Sequence, residues 1–331
     1  MSNARLPWDR ALQLALTGSA IAIVQREMTW RPEVVDTLFA AYFRGDGARV
    51  SNTRLLMREA VNTLARITGA EALTINFVLQ ILAAIVGVAA TWCFARRWLG
   101  ENQAMGATLL AAAWILWGFG HLGWRISYPY DLPAFAFSAL GLLAISTHHF
   151  KALIICIILG TLNKETLPWL IPAWFFFHRD QRNEGSGTLW KQSFILCVGF
   201  LAAYMLPRFP SAHEGEHGLV TASLIDYSAE SNAPRIIYNL ERLLMFKAVY
   251  FIGDLQFVLL LHLLPVLMWQ YLPAELRKLY FATPLFIVPM LLAGNIWEVR
   301  IFAELLPLTS VAMFAATGAA LRASQGQLAA A

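Results

Sequence analysis

Ten apolar runs, each bounded by polar residues or Gly/Pro punctuation, constrain this chain more than any other feature: 11–25, 73–95, 104–120, 132–147, 152–162, 167–177, 189–207, 255–271, 279–293 and 301–321. A helix needs roughly 20 apolar residues to cross a ~30 Å hydrocarbon core, and backbone polar groups in lipid must be satisfied within the segment. The pattern therefore predicts an all-α, polytopic transmembrane helical bundle of about ten spans. Composition agrees, since 58% of the 331 residues are hydrophobic and only 14% charged, against about 25% charged in a soluble domain. An ordinary soluble protein is excluded. The longest polar stretches, 25–72 and 208–253, leave no room for a separate soluble domain, so 1–331 reads as one transmembrane domain.

The runs 152–162 and 167–177 are too short to cross straight, and are read as two thin spans or as a re-entrant pair meeting at Asn163–Thr166. Either choice returns the chain to the side it left. Basic residues in the short connections set orientation. Arg5, Arg10, Arg96, Arg97, Lys151, Arg179, Arg182, Lys191, Arg277, Lys278 and Arg322 fall on one side, against Arg125, Lys164 and Arg300 on the other. This predicts both termini in the cytoplasm. Arg5 and Arg10 before Ala11–Val24 also have the layout of a signal peptide, read here as a retained first span.

The two long external loops, the first and the fourth, carry amphipathic helices expected to lie in the interface plane. In Arg54–Ile67 the residues Met57, Ala60, Val61, Leu64 and Ile67 recur at helical spacing, and Val34–Phe43 and Pro234–Phe251 are similar. The net charge of +4 is spread through loops without a dense basic run, which suits anionic lipid headgroups and gives no nucleic-acid footprint. Cys93, Cys156 and Cys197 lie inside apolar runs at unrelated spacings, with neither a disulfide framework nor a metal motif.

Ionisable groups at span ends carry the functional information, because a charge near hydrocarbon costs a few kcal/mol and must be offset. Four clusters fall on the predicted external face: Arg125–Asp131, Asn163–Thr166, Gly253–Asp254 and Asn295–Arg300. Each has a structural reading. Asp131 before Leu132-Pro133 suits an N-cap, Lys164 and Glu165 could neutralise each other, and Arg300 could pair with Glu304 one turn on. Together they describe a site for an anionic substrate, with Lys164, Arg300 and Arg125 holding phosphate and a carboxylate serving as base.

Glu298-x-Arg300, followed by Phe302 and Pro307, resembles the HKExRF-type segment of the GT-C superfamily, integral-membrane glycosyltransferases that use polyprenyl-phosphate sugars. Only Glu298 and Arg300 match in register; Ile296, Trp297 and Ile301 stand at the His, Lys and Phe positions. Asn163-Lys164-Glu165-Thr166 and Tyr130-Asp131-x-Pro133 are similar to segments of bacterial members, and a long first external loop with interfacial helices matches their topology. The resemblance implies a mannosyltransferase-like enzyme of the plasma membrane (a bacterial inner membrane). It would transfer a sugar from a polyprenyl phosphate, with inversion, to a lipid, glycan or protein on the extracytoplasmic face. It also implies a catalytic carboxylate in the first external loop, where Asp36 is favoured among Glu27, Glu33, Asp36 and Asp46, and a second at Asp131. Lys164, Arg300 and Arg125 would bind phosphate, with Glu165 and Glu298 orienting them or the sugar. No cofactor is required, though a divalent metal is compatible, and the partners are the lipid-linked sugar and membrane lipids, with a protein partner also compatible.

Two rivals compete. His213-Glu-Gly-Glu-His217 matches the HExxH pattern of zinc proteases, but Gly215 and Gly218, with Pro207 and Pro210 before it, oppose the helix that would aim both imidazoles at one metal. A transporter or non-catalytic GT-C-like subunit would use Asn76, Gln80, His262 and Glu304 along a polar pathway.

Overall fold

A computed structural model of the chain describes residues 7–29, 39–44, 54–120, 128–180, 186–208, 262–293 and 299–330. The described residues contain helices and turns and no strand. In chain order the α-helices are α1 (Trp8–Thr29), α2 (Ala40–Arg44), α3 (Leu55–Thr68), α4 (Ala72–Ala95), α5 (Glu101–Gly120), α6 (Asp131–Ser146), α7 (Phe150–Asn163), α8 (Leu170–His178), α9 (Ser186–Met205), α10 (Ala274–Tyr280), α11 (Pro284–Ala293) and α12 (Leu306–Ala330). Three 3-10 segments, Leu167–Trp169, Trp269–Tyr271 and Val299–Leu305, join them.

Among the described residues, three helices are long and apolar enough to cross a membrane: Ala72–Ala95, Gly187–Met205 and Phe302–Gln325. The α6 and α7 helices are apolar but shorter, and the 14 residues of α7 rise only about 21 Å, less than the ~30 Å of hydrocarbon. The expected break between the fifth and sixth runs is present. The backbone at Lys164 is extended (φ −160°, ψ 132°), and the chain restarts at Leu167 with Pro168 in its first turn, where a missing N–H costs nothing.

The run 279–293 departs from the expected single helix. It divides at Phe281–Thr283 because Pro284 disfavours helical backbone at the residue before it and opens α11 instead. The run 301–321 begins as the 3-10 segment Val299–Leu305 and continues as α12. Only residues from 262 onward in the run 255–271 are described, and Val34–Asp36 and Pro234–Phe251 lie outside the described residues.

One large apolar core, running from Leu14 on α1 to Ala316 on α12, joins the long helices, with α4 packed on α1 and α6, α7 on α6 and α9, and α12 on α5. Close approach is explicit at Gly18, where a Cβ would come within 2.5 Å of Ile85 Cα on α4. Away from the core the same helices expose apolar stripes at helical spacing: Val78, Leu82 and Val86 on α4, and Trp190, Phe194, Val198 and Leu201 on α9. Water would penalise such stripes and hydrocarbon would not. A second, small core sits at one end of the packed helices. There α2 and α3 lay Tyr42, Phe43, Met57 and Val61 over Ile75 and Tyr130, while α3 leaves Leu64 and Ile67 exposed.

Candidate functional site

Under that small core, four pieces of chain distant in sequence meet: Arg54 before α3, the Tyr128–Asp131 turn opening α6, the Asn163–Thr166 turn after α7, and Glu304 in the last 3-10 segment. Lys164 lies in the centre. Its Nζ is 3.4 Å from Asp131 Oδ1 and 3.2 Å from Glu304 Oε1, and the three residues are only 1–3% exposed. Each carboxylate has further donors. Tyr128 N–H donates to Asp131 Oδ2 (3.0 Å), and the Thr166 hydroxyl sits 2.5 and 2.6 Å from the two oxygens of Glu304. The Ser138 hydroxyl donates to the Glu304 carbonyl (2.6 Å), tying α6 to the 3-10 segment.

A second ion pair lies beside the first. Arg54 donates through Nε (3.3 Å) and Nη2 (3.0 Å) to the two oxygens of Glu165, and its guanidinium lies 4.0 Å over the Tyr130 ring. Burial alone would raise the Glu165 carboxyl, but the Arg54 guanidinium, helped by Arg208, outweighs it and holds the group down at about 2. The same pairing overcomes burial at Arg54 and raises its guanidinium further.

Side-chain amides and backbone carbonyls complete the cluster. Asn163 Nδ2 donates to the Tyr130 carbonyl (2.9 Å), and the Gln80 side-chain amide donates to the neighbouring Pro129 carbonyl. Among the described residues, the buried oxygens Asn163 Oδ1, Gln80 Oε1 and Asn76 Oδ1 have no hydrogen-bond partner. A buried polar atom left unpaired costs about 1–3 kcal/mol, so these oxygens suit water or the hydroxyls of a bound molecule.

An open apolar groove of about 490 Å³ borders this cluster, between α3 and the C-terminal ends of α7 and α9. It is lined by Leu55, Leu56, Ala60, Leu64, Leu162 and Leu206, with Glu59 and Thr63 among them.

The structure thus brings Asp131, Lys164 and Glu165 into one region. It revises their partners. Lys164 and Glu165 do not neutralise each other: Lys164 turns to Asp131 and Glu304, and Glu165 to Arg54. Asp131 is the first helical residue and not the N-cap, which is Tyr130, and Asp131 binds the N–H three residues back. The backbone of Arg300 enters the 3-10 segment four residues before Glu304, whose carboxylate goes to Lys164 and Thr166. Asp36, Arg125, Glu298, His213 and His217 lie outside the described residues. Among the described residues, no group of three or more His, Cys, Asp or Glu could hold a metal ion.

The sequence reading gives Arg54 no role in the site and sets Glu304 as a partner of Arg300 or on a rival transport pathway. The available signal for Glu304 was its position as a lone carboxylate inside an apolar run. Compared with family models, with curated proteins and with solved structures, the chain matches none.

Proposed function

We propose that the chain is a polytopic membrane protein of about ten spans that transfers a sugar from a polyprenyl phosphate to an acceptor hydroxyl at the extracytoplasmic face. The observation that carries this reading is the convergence of Asp131, Lys164, Glu165 and Glu304 at one end of apolar helices, beside an apolar groove. The opposite end carries the ties Arg10–Glu101 (2.7 Å) and Lys278–Asp180 (2.9 Å) and much of the basic excess, which the positive-inside rule assigns to the cytoplasm.

In this mechanism Asp131, or Asp36 from the first external loop, takes the proton of the acceptor hydroxyl. The oxygen attacks the anomeric carbon from the face opposite the phosphate, the carbon–oxygen bond to phosphate breaks, and polyprenyl phosphate leaves with both electrons, inverting the centre. Lys164 does not hold the phosphate, being enclosed by two carboxylates. It is shared between them and holds the two carboxylates in place. Arg300 supplies positive charge to the leaving phosphate, with Glu298 and Glu165 orienting cations or sugar hydroxyls. The unpaired amide oxygens of Gln80 and Asn163 accept further hydroxyls.

A second reading, a catalytically silent membrane subunit, draws on the same burial, because a lysine saturated by two carboxylates also serves as a structural tie. Purified protein in nanodiscs, given a polyprenyl-phosphate hexose and a membrane lipid extract, separates the two. Under the enzyme reading, polyprenyl phosphate is released, and Asp131→Asn slows release by about 10²–10⁴-fold in protein that remains folded. Release unaffected by both Asp131→Asn and Asp36→Asn would overturn the assigned base, and binding without any release would establish the silent subunit.

A further inference from the structure

Gln80 and Asn163 grip consecutive backbone carbonyls, Pro129 and Tyr130, through their side-chain nitrogens. A carbonyl only accepts, so these contacts fix which end of each amide is nitrogen and leave both oxygens turned away from the carbonyls. Asn76 precedes Gln80 by one turn of α4 and shares its face. Among the described residues, Asn76 Oδ1, Gln80 Oε1 and Asn163 Oδ1 are buried without a hydrogen-bond partner, and none of the three residues is more than 7% exposed. The three amides border one region, between α4, the Tyr128–Asp131 turn and the end of α7.

The unpaired atoms are acceptors alone. One water offers two hydrogens and leaves the third oxygen short, whereas a cation draws on all three at once. Amide oxygens are hard ligands without formal charge, so they suit an alkali ion; calcium and zinc call for carboxylates, imidazoles or thiolates around the metal. Asn163 is also the last residue of α7, where the helix dipole turns its negative end toward a cation, and broken helices in membrane bundles hold sodium at such ends. We propose that Asn76, Gln80 and Asn163 bind one sodium ion between α4 and the break after α7. Bound there, the ion ties α4 to the turns that carry Asp131 and Lys164. Each amide oxygen has two lone pairs, so those of Gln80 and Asn163 still accept a hydroxyl. The site requires neither sugar nor acceptor and goes beyond the transfer reading.

The test is ion retention. Wild type in detergent micelles, with choline chloride holding the ionic strength constant, is titrated with radiolabelled sodium and counted by scintillation proximity. It should retain one sodium per chain, saturably, and unlabelled sodium should displace the label while calcium at equal concentration does not. Sodium should also raise the melting temperature relative to choline, as a ligand of the folded state does. Asn76→Leu removes one oxygen at similar volume, and Gln80→Met removes another; each should weaken retention about tenfold or more. In choline, Asn76→Leu should melt no lower than wild type because it deletes an unpaired buried acceptor, which separates loss of the ion from loss of the fold. Absence of saturable retention, or equal melting of wild type in sodium and choline, overturns the proposal and leaves the oxygens to ordered water. Displacement by calcium, or retention untouched by both variants, overturns it as well.

Discussion

Lys164→Met is the most demanding perturbation of the buried cluster. Its Nζ lies 3.4 Å from Asp131 and 3.2 Å from Glu304, and those two side chains are 2% and 1% exposed. Removing the ammonium leaves two buried carboxylates with the Thr166 hydroxyl and the Tyr128 N–H among their remaining donors. Breaking a buried pair in this way typically costs about 3–5 kcal/mol, because the surviving charge has lost both solvent and partner. Two surviving charges place Lys164→Met at the upper end, about 5 kcal/mol, unless one carboxylate takes up a proton. Removing all three charges together should behave differently. In the triple variant Asp131→Asn, Lys164→Met, Glu304→Gln, the amides can still accept from Tyr128 N–H and Thr166, and the buried charge is gone. Its cost should fall to about 1–2 kcal/mol. Unfolding in mixed micelles titrated with dodecyl sulfate, followed by far-UV circular dichroism, measures both. A single variant within about 1 kcal/mol of wild type, or a triple variant no more stable than the single, would refute the reasoning.

Four further outcomes are expected. Because Glu165 titrates at about 2 against an ordinary 4.5, its pairing with Arg54 contributes stability that is present above pH 4.5 and is lost as pH falls toward 2. That contribution is about 2 kcal/mol after allowing for the partly exposed side chain, and Glu165→Gln should flatten the stability–pH profile over that interval. Gly18→Ala places a Cβ 2.5 Å from Ile85 Cα on a helix backbone that cannot yield locally, and should cost about 1–3 kcal/mol. Gly187→Ala meets nothing within 4 Å and should be neutral or stabilising by about 0.5–1 kcal/mol in the same titration. For orientation, in right-side-out vesicles of protein lacking Cys93, Cys156 and Cys197, a membrane-impermeant maleimide should label Arg66→Cys on α3 and spare Asp180→Cys; labelling both, or the reverse, would overturn the external placement of the cluster.

Much of the helical framework was legible in the chain because apolar periodicity and Gly/Pro punctuation are local signals. The span Ala72–Ala95 falls within one residue of its expected limits, and the break at Lys164 lies where the polar residues interrupt the apolar run. The division of 279–293 was missed although Thr283-Pro284 carried the signal, since an unbroken apolar composition outweighed it. Asp131, Lys164 and Glu165 were legible as candidates in the sequence, Arg54 and Glu304 were not, and none of the pairs was legible. Asp131 and Lys164 are 33 positions apart, Arg54 and Glu165 111, and Thr166 and Glu304 138. No periodicity links such distances.

The amino-acid sequence by itself determined that this chain is helical and apolar, where its fifth and sixth runs separate, and that charge gathers at the breaks. These follow from the cost of placing unpaired backbone and charge in an apolar medium, a cost paid residue by residue. Only the tertiary structure decided what the charges do. Lys164 and Glu165 are neighbours of opposite sign and look like a self-neutralising pair. The extended backbone at Lys164 lets consecutive side chains point to opposite sides. The lysine therefore enters the core to meet Asp131 and Glu304, and the glutamate faces Arg54 at the rim.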